Sequence, residues 1–154
     1  MKLKNNLNYE NSSIKYSSNA SNYIDIRSHL ERCNHLFKPA LSSYINLDEY
    51  SMKLFEQSIR YEIFYDLDLI GLVAIYHNSN VGYISNFSLE QSFIGKGFSN
   101  DLMLACLDAS INKKLESIRL EVFKENTRAV KFYAKHGFIV EKENNKVFIL
   151  VKIL

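Results

Sequence analysis

Thirty residues in the middle of the chain, YEIFYDLDLIGLVAIYHNSNVGYISNFSLE (residues 61–90), constrain the fold more than any other stretch. They read as three apolar runs separated by residues 66–68 and by HNSN at 77–80, both of which are turn chemistries. Runs joined by so few residues pair with their directions reversed, so the stretch predicts two successive hairpins, an antiparallel meander.

The flanks have a different period. Upstream, IKY (residues 14–16) is expected as a short strand, and SNYIDIRSHLERCNHLF carries Ile26, Leu30, Cys33 and Phe37 at helical spacing. LDEYSMKLFEQSI suits a second helix with Asp48 as its N-cap. Downstream, FSNDLMLACLDASINKK places Phe98, Leu102, Ala105, Cys106 and Ala109 on one stripe, with Asp101 in the first turn and two lysines in the last. SIRLEVF is then a strand, TRAVKFYAKHG a helix stopped by Gly137, and FIVEKENNKVFILVKIL a closing hairpin turned at residues 143–145. The order β-α-α-β-β-β-α-β-α-β-β predicts a mixed α/β fold around a central, mostly antiparallel sheet.

A chain of 154 residues suits one domain, which on folding buries roughly 68–70% of the surface it exposes unfolded. With no repeat and no proline- or glycine-rich linker, residues 1–154 are expected to form a single domain, residues 1–13 being a flexible N-terminal extension. The formal net charge of +2 gives no argument for a nucleic-acid or membrane partner, and no apolar run is long enough to span a bilayer. Cys33 and Cys106 lack metal-ligand spacing and a nucleophile context with a paired histidine, so no metal is expected. A polar, Asn/Ser-rich beginning without a signal-peptide pattern suits a cytoplasmic location.

The remaining feature is SFIGKGFSND, with two of the five glycines one residue apart just ahead of a helix. The first N–H groups of a helix lack intrahelical partners and sit at the positive end of its dipole, so a glycine turn there suits phosphate oxygens. A dinucleotide fingerprint needs a third glycine where Asn100 stands, and a Walker loop needs Gly-Lys-Ser/Thr after four intervening residues; both are absent. Two glycines alone are equally the mark of a tight turn without a ligand.

Taken together, NFSLEQSFIGKGFSNDLM and LEVFKENTRAVKFYAKHGF resemble the cofactor-binding core of the GNAT superfamily of acetyl-CoA-dependent N-acetyltransferases. The first resembles the strand, Q/R-x-x-G-x-G/A loop and helix; the second, the following strand, Asn, helix, Tyr and Gly-Phe. The likeness is close from residue 71 to 138, and departs from the pattern at Ile94, in place of Gln/Arg, and at Ser99, in place of Gly/Ala. It implies acetyl-CoA as co-substrate, held by backbone N–H groups of Gly95, Lys96, Gly97, Phe98, Ser99 and Asn100, by the strand residues Phe87, Ser88 and Leu89, and by Asn126, which is also a helix cap by position. It implies Tyr133 as the general acid that protonates the departing thiolate, against the plainer reading of a core tyrosine.

Glu121, alternating with apolar Leu120 and Val122, is the first candidate for the general base, with Glu90 and Tyr83 ranked below it and His77 read as exposed in a hairpin turn. The acceptor implied is a primary amine on a small molecule, an amino sugar or a protein terminus, with Phe37, Tyr44 and Tyr50 expected near it. The alternative is a catalytically silent acyl-CoA-binding regulatory domain, which Ile94 motivates. An exposed sheet edge and the closing hairpin would permit a homodimer.

Overall fold

The computed structural model describes residues 14–154; the expected N-terminal extension, residues 1–13, lies outside the described residues. Strand β1 (Ile14–Ser18) leads into helix α1 (Tyr23–Cys33). Asn22 and Asp25 cap α1 reciprocally: the Asp25 N–H donates to Asn22 Oδ1, and the Asn22 N–H to Asp25 Oδ2. The helix stops at Cys33, earlier than its apolar spacing predicts, because a tighter turn over Asn34–Leu36 breaks the period and swings Phe37 out of line. Helix α2 (Leu47–Gln57) is capped by Asn46, whose Oδ1 accepts from Glu49 N; Asp48, the expected cap, lies in the first turn instead and pairs with Arg27.

The meander forms as expected: β2 (Ile59–Tyr65), β3 (Asp68–Asn78) and β4 (Val81–Leu89), with Asp66 and Ser79 at positive φ in the turns. His77 belongs to β3, not to a turn, because the strand runs on to Asn78; it is half-buried, and its Nε2 is buried without a partner among the described residues. Helix α3 (Phe98–Asn112), β5 (Ser117–Phe123), α4 (Thr127–Lys135), β6 (Ile139–Glu143) and β7 (Val147–Ile153) complete the order read from the sequence.

The strands form one sheet in the order β1-β2-β3-β4-β5-β7-β6, antiparallel at every junction except β4 with β5. Alternation along β3, shifted by one residue where Ile70 has no partner in the β2 register, divides the core. Ile70, Val73 and Ile75 face α3 with Phe98, Leu102, Met103 and Cys106, while Leu69, Leu72 and Ala74 face Ile26, Leu30 and Leu54 of α1 and α2. Each of the valine, leucine, isoleucine, phenylalanine and methionine side chains among these, fully buried, contributes about 1.5–3 kcal/mol. Among the described residues, no helix is long and apolar enough to cross a membrane.

The parallel junction is the opening in this sheet. Residues 81–84 of β4 pair with 117–120 of β5, and there the pairing stops. In the β3–β4 ladder, Ala74 opposes Asn86 and Ile75 opposes Ile84, so Ser85 is an unpaired bulge. A bulge bends its strand. Beyond it, among the described residues, Phe87, Ser88 and Leu89 pair only with β3, and Glu121, Val122 and Phe123 only with β7.

Candidate active site

Two adjoining cavities occupy the place where β4 and β5 part. One, of about 680 Å³ with open solvent included, is lined by Cys33 and Phe37 on the α1 side, by Phe87, Ser88 and Leu89 of β4, and by Ile94, Ser99, Asn126, Arg128, Ala129, Phe132 and Tyr133. The other, of about 560 Å³, runs between β4 and β5 past Tyr44, Ser85, Asn86, Glu121 and Phe123. Phe37, Phe87, Asn126, Ala129 and Tyr133 border both, so the two spaces meet at these side chains.

The glycine turn lies at the mouth of the first cavity. Gly95 and Gly97 have φ of +84° and +89°, left-handed values that favour glycine, and a Cβ on Gly95 would meet nothing within 4 Å. Gly97 is the N-cap of α3, and the first intrahelical bond runs from Asp101 N to Gly97 O, so the N–H groups of Ser99 and Asn100 precede it. The Phe98 side chain is fully buried in the core, which leaves only its backbone to face a ligand. Ile94, where the motif has Gln/Arg, packs half-buried against the core and lines the cavity. Gly95, Lys96, Gly97 and Asn100 are exposed.

Helix α4 supplies the opposite wall. Asn126 caps it, its Oδ1 accepting from Ala129 N at 3.3 Å, and the same side chain lines both cavities. Cap and cavity wall are thus one residue. Tyr133 is buried, edge-on to Phe87 and Phe138, and no described residue hydrogen-bonds its hydroxyl. Burial, reinforced by Tyr50 and Cys106, pushes this phenol well above its ordinary range, so it holds its proton at neutral pH.

On the far side, Glu121 is exposed on β5, and its charge helps raise the phenols of Tyr44 and Tyr83, for which burial is the larger cause. Tyr44 stacks edge-on with Phe123 at 5.0 Å. Of the other candidates, Glu90 is engaged by Arg32 at 3.2 Å. Tyr50, expected to face the acceptor, is instead held by its hydroxyl to Ser85 O at 2.8 Å and Ser85 Oγ at 2.7 Å, because α2 lies against the bulge.

Sequence reasoning gave Cys33 no histidine, yet its Sγ lies 3.7 Å from His29 Nε2 and 3.8 Å from Nδ1, one turn along α1. Near-equal distances put the sulfur over the ring rather than at either lone pair, and both nitrogens have other partners, Leu69 O and Ser88 Oγ. Burial pushes the thiol up to about 12, so it is not a nucleophile at neutral pH. Sequence reasoning also missed Arg128, Ala129 and Phe132 as cavity walls. Their signal was the i, i+3, i+4 stripe that Ala129, Phe132 and Tyr133 share behind Asn126.

The arrangement resembles solved acetyltransferases as a whole. PaiA N-acetyltransferase from Thermoplasma acidophilum, solved in complex with coenzyme A, superposes with a TM-score of 0.73 at 19% identity over 92% of this chain and 99% of that one. The ribosomal-protein-S18-alanine N-acetyltransferase from Escherichia coli gives 0.72 at 12% identity, covering 92% and 94%. Ard1 from Thermoplasma volcanium gives 0.67 at 19%, covering 90% and 97%. At such identities the likeness is one of fold. No curated protein sequence matches significantly. Residues 24–138, three quarters of the chain, match the acetyltransferase (GNAT) family, and this protein belongs to it.

Proposed function

We propose that the protein transfers an acetyl group from acetyl-CoA to a primary amine by direct attack in a ternary complex. The observation that carries this reading is the convergence, on two adjoining cavities, of a glycine-capped helix start, a strand edge without a partner among the described residues, and a buried tyrosine that keeps its proton. The diphosphate of acetyl-CoA would lie against the turn at residues 95–100, where N–H groups and the α3 dipole favour anions. Its pantetheine arm would add to the free edge of Phe87, Ser88 and Leu89 as a strand does, and an N–H of that edge would polarise the thioester carbonyl.

In the second cavity the amine would approach past Glu121, which accepts its proton directly or through a water. The amine attacks the thioester carbon; collapse of the tetrahedral intermediate breaks the C–S bond, and Tyr133 gives its proton to the leaving sulfur. Burial makes this phenol a weaker acid, but the same burial raises a thiolate's proton affinity, as the Cys33 thiol shows, which offsets the loss. Aromatic walls and a single carboxylate favour a small amine or amino sugar of low charge over a polyamine. The CoA bound by the Thermoplasma acidophilum protein supports the cofactor.

A panel of primary amines with acetyl-CoA, followed by thiol release, tests the reading. Release that depends on an amine is expected. Acetyl-CoA binding with no release on any amine would favour a silent regulatory domain instead.

A further inference from the structure

Leu69 O can only accept, and two donors reach it: Arg32 Nη2 at 2.9 Å and His29 Nδ1 at 2.9 Å. The Nδ1 of His29 therefore carries a proton. The ring is fully buried, and burial, with a smaller contribution from Arg32, lowers its pKa to about 4, so at neutral pH it holds that one proton only. The charged groups about it are Arg32, from its own helix, and Glu90 beyond β4, which pair with each other; the Cys33 thiol is neutral. Nε2, 2.8 Å from Ser88 Oγ, is then bare and accepts the only hydroxyl hydrogen Ser88 has.

That assignment decides the next link. The Asn86 amide end 2.7 Å from Ser88 Oγ must donate, so it is Nδ2, and amide oxygen and nitrogen are told apart by their partners. Placed the other way round, Nδ2 is buried with no partner among the described residues; turned over, it donates to Ser88 Oγ. The result is a directional chain from Asn86 to Ser88 to His29 to Leu69 O, reaching from the acceptor cavity, beneath the acyl strand, to α1.

We propose that this chain makes His29 a positioning residue for acyl transfer, a reading that rests on the proposed function. Past the Ser85 bulge, β4 has lost β5 and, among the described residues, is laddered on one edge only. His29, through Ser88, fixes the segment that would hold the thioester carbonyl, and an error of about 1 Å in such a position costs up to about 10²-fold in rate.

Two variants separate this role from packing. His29→Gln sets an acceptor near the Nε2 position and keeps the link to Ser88; His29→Asn keeps the donor to Leu69 O and loses Ser88. His29→Gln is expected within about 3-fold of the parent kcat, whereas His29→Asn and Ser88→Ala each lose roughly 10–10²-fold, KM for acetyl-CoA changing less, and the double variant loses no more than either. Equal losses in Gln and Asn, or additive losses in the double variant, would overturn the proposal. Nitrogen-15 NMR of the parent ring reads the chain without any activity: a protonated Nδ1 and bare Nε2, constant from about pH 8 to pH 5, are expected. A proton on Nε2, or titration near about 6.5, would overturn it. A parent with the expected ring signal that binds no acetyl-CoA would overturn the functional reading, and the positioning role with it, leaving the hydrogen-bond chain standing.

Discussion

The ring of Tyr133 stands edge-on to that of Phe87, centroids 6.2 Å apart and planes at 89°, so the proposed acid on α4 is braced against the strand proposed to hold the acyl group. Tyr133→Phe keeps this contact and removes a hydroxyl that no described residue binds, so stability is expected to change by less than about 0.5 kcal/mol. The variant should lose about 10²–10⁴ in kcat while binding acetyl-CoA as the parent does. Steady-state kinetics with calorimetry check this; parental kcat would take Tyr133 out of the chemistry.

Asn126 serves as cap and as cavity wall, and two substitutions part the roles. Asn126→Ala should cost about 1 kcal/mol through the lost cap and weaken acetyl-CoA binding as well. Asn126→Asp keeps the cap, so its unfolding midpoint should match the parent, while its added charge beside the cofactor weakens binding alone. Denaturant melts and titrations of both variants give the answer; parental affinity in Asn126→Asp would leave the residue a cap only.

Glu62, fully buried, accepts from Ala20 N at 2.7 Å, Ser21 N at 3.0 Å, Ser17 Oγ at 3.1 Å and Ser21 Oγ, and faces Arg60 Nε at 3.4 Å. This network ties the β1–α1 junction to β2. Glu62→Gln keeps the shape but leaves the Arg60 charge without its counter-ion, and should cost about 3–5 kcal/mol. Urea unfolding measures it; a loss below about 1 kcal/mol would show that Arg60 finds other compensation.

His29 gives stability a pH dependence of definite sign. Its folded pKa, lowered to about 4 mainly by burial, lies below the unfolded value near 6.5, so between those limits the unfolded chain binds a proton that the folded one does not. Stability falls as pH drops through that window, by at most about 1.4 kcal/mol per pH unit from this group, and the effect ends below about 4. Unfolding of parent and His29→Gln at pH 7.5 and pH 5 isolates it: the parent should lose more. Equal losses would mean the buried ring is protonated along with the unfolded chain.

The strands and their order along the chain were legible because each rests on local pattern: alternation, turn residues, a helical stripe; the candidate loop, Asn126 and Tyr133 were singled out by the family resemblance. What was not legible depends on distant partners. His29 sits on α1 beside the apolar positions Ile26, Leu30 and Cys33, but its meaning comes from Ser88, 59 residues away. The Ser85 bulge exists only in the register of β4 on β3, and it turned Tyr50 from an expected substrate contact into a support. Phe37 kept the helical spacing in sequence but left the helix in space, because the turn over Asn34–Leu36 intervenes. Asn46 and Asp48 are both good caps, and local sequence does not rank them.

Calorimetric titration with acetyl-CoA of the parent and of Ser99→Glu tests the central claim most directly. A carboxylate in the first turn of α3 suits the helix dipole, so the variant should stay folded, yet it puts negative charge where the diphosphate would lie. One acetyl-CoA bound per parent chain is expected, with at least about tenfold weaker binding by a folded Ser99→Glu, an affinity loss of about 1.4 kcal/mol or more. A folded parent that binds no acetyl-CoA, or a variant that binds it as tightly as the parent, would contradict a cofactor held at this turn.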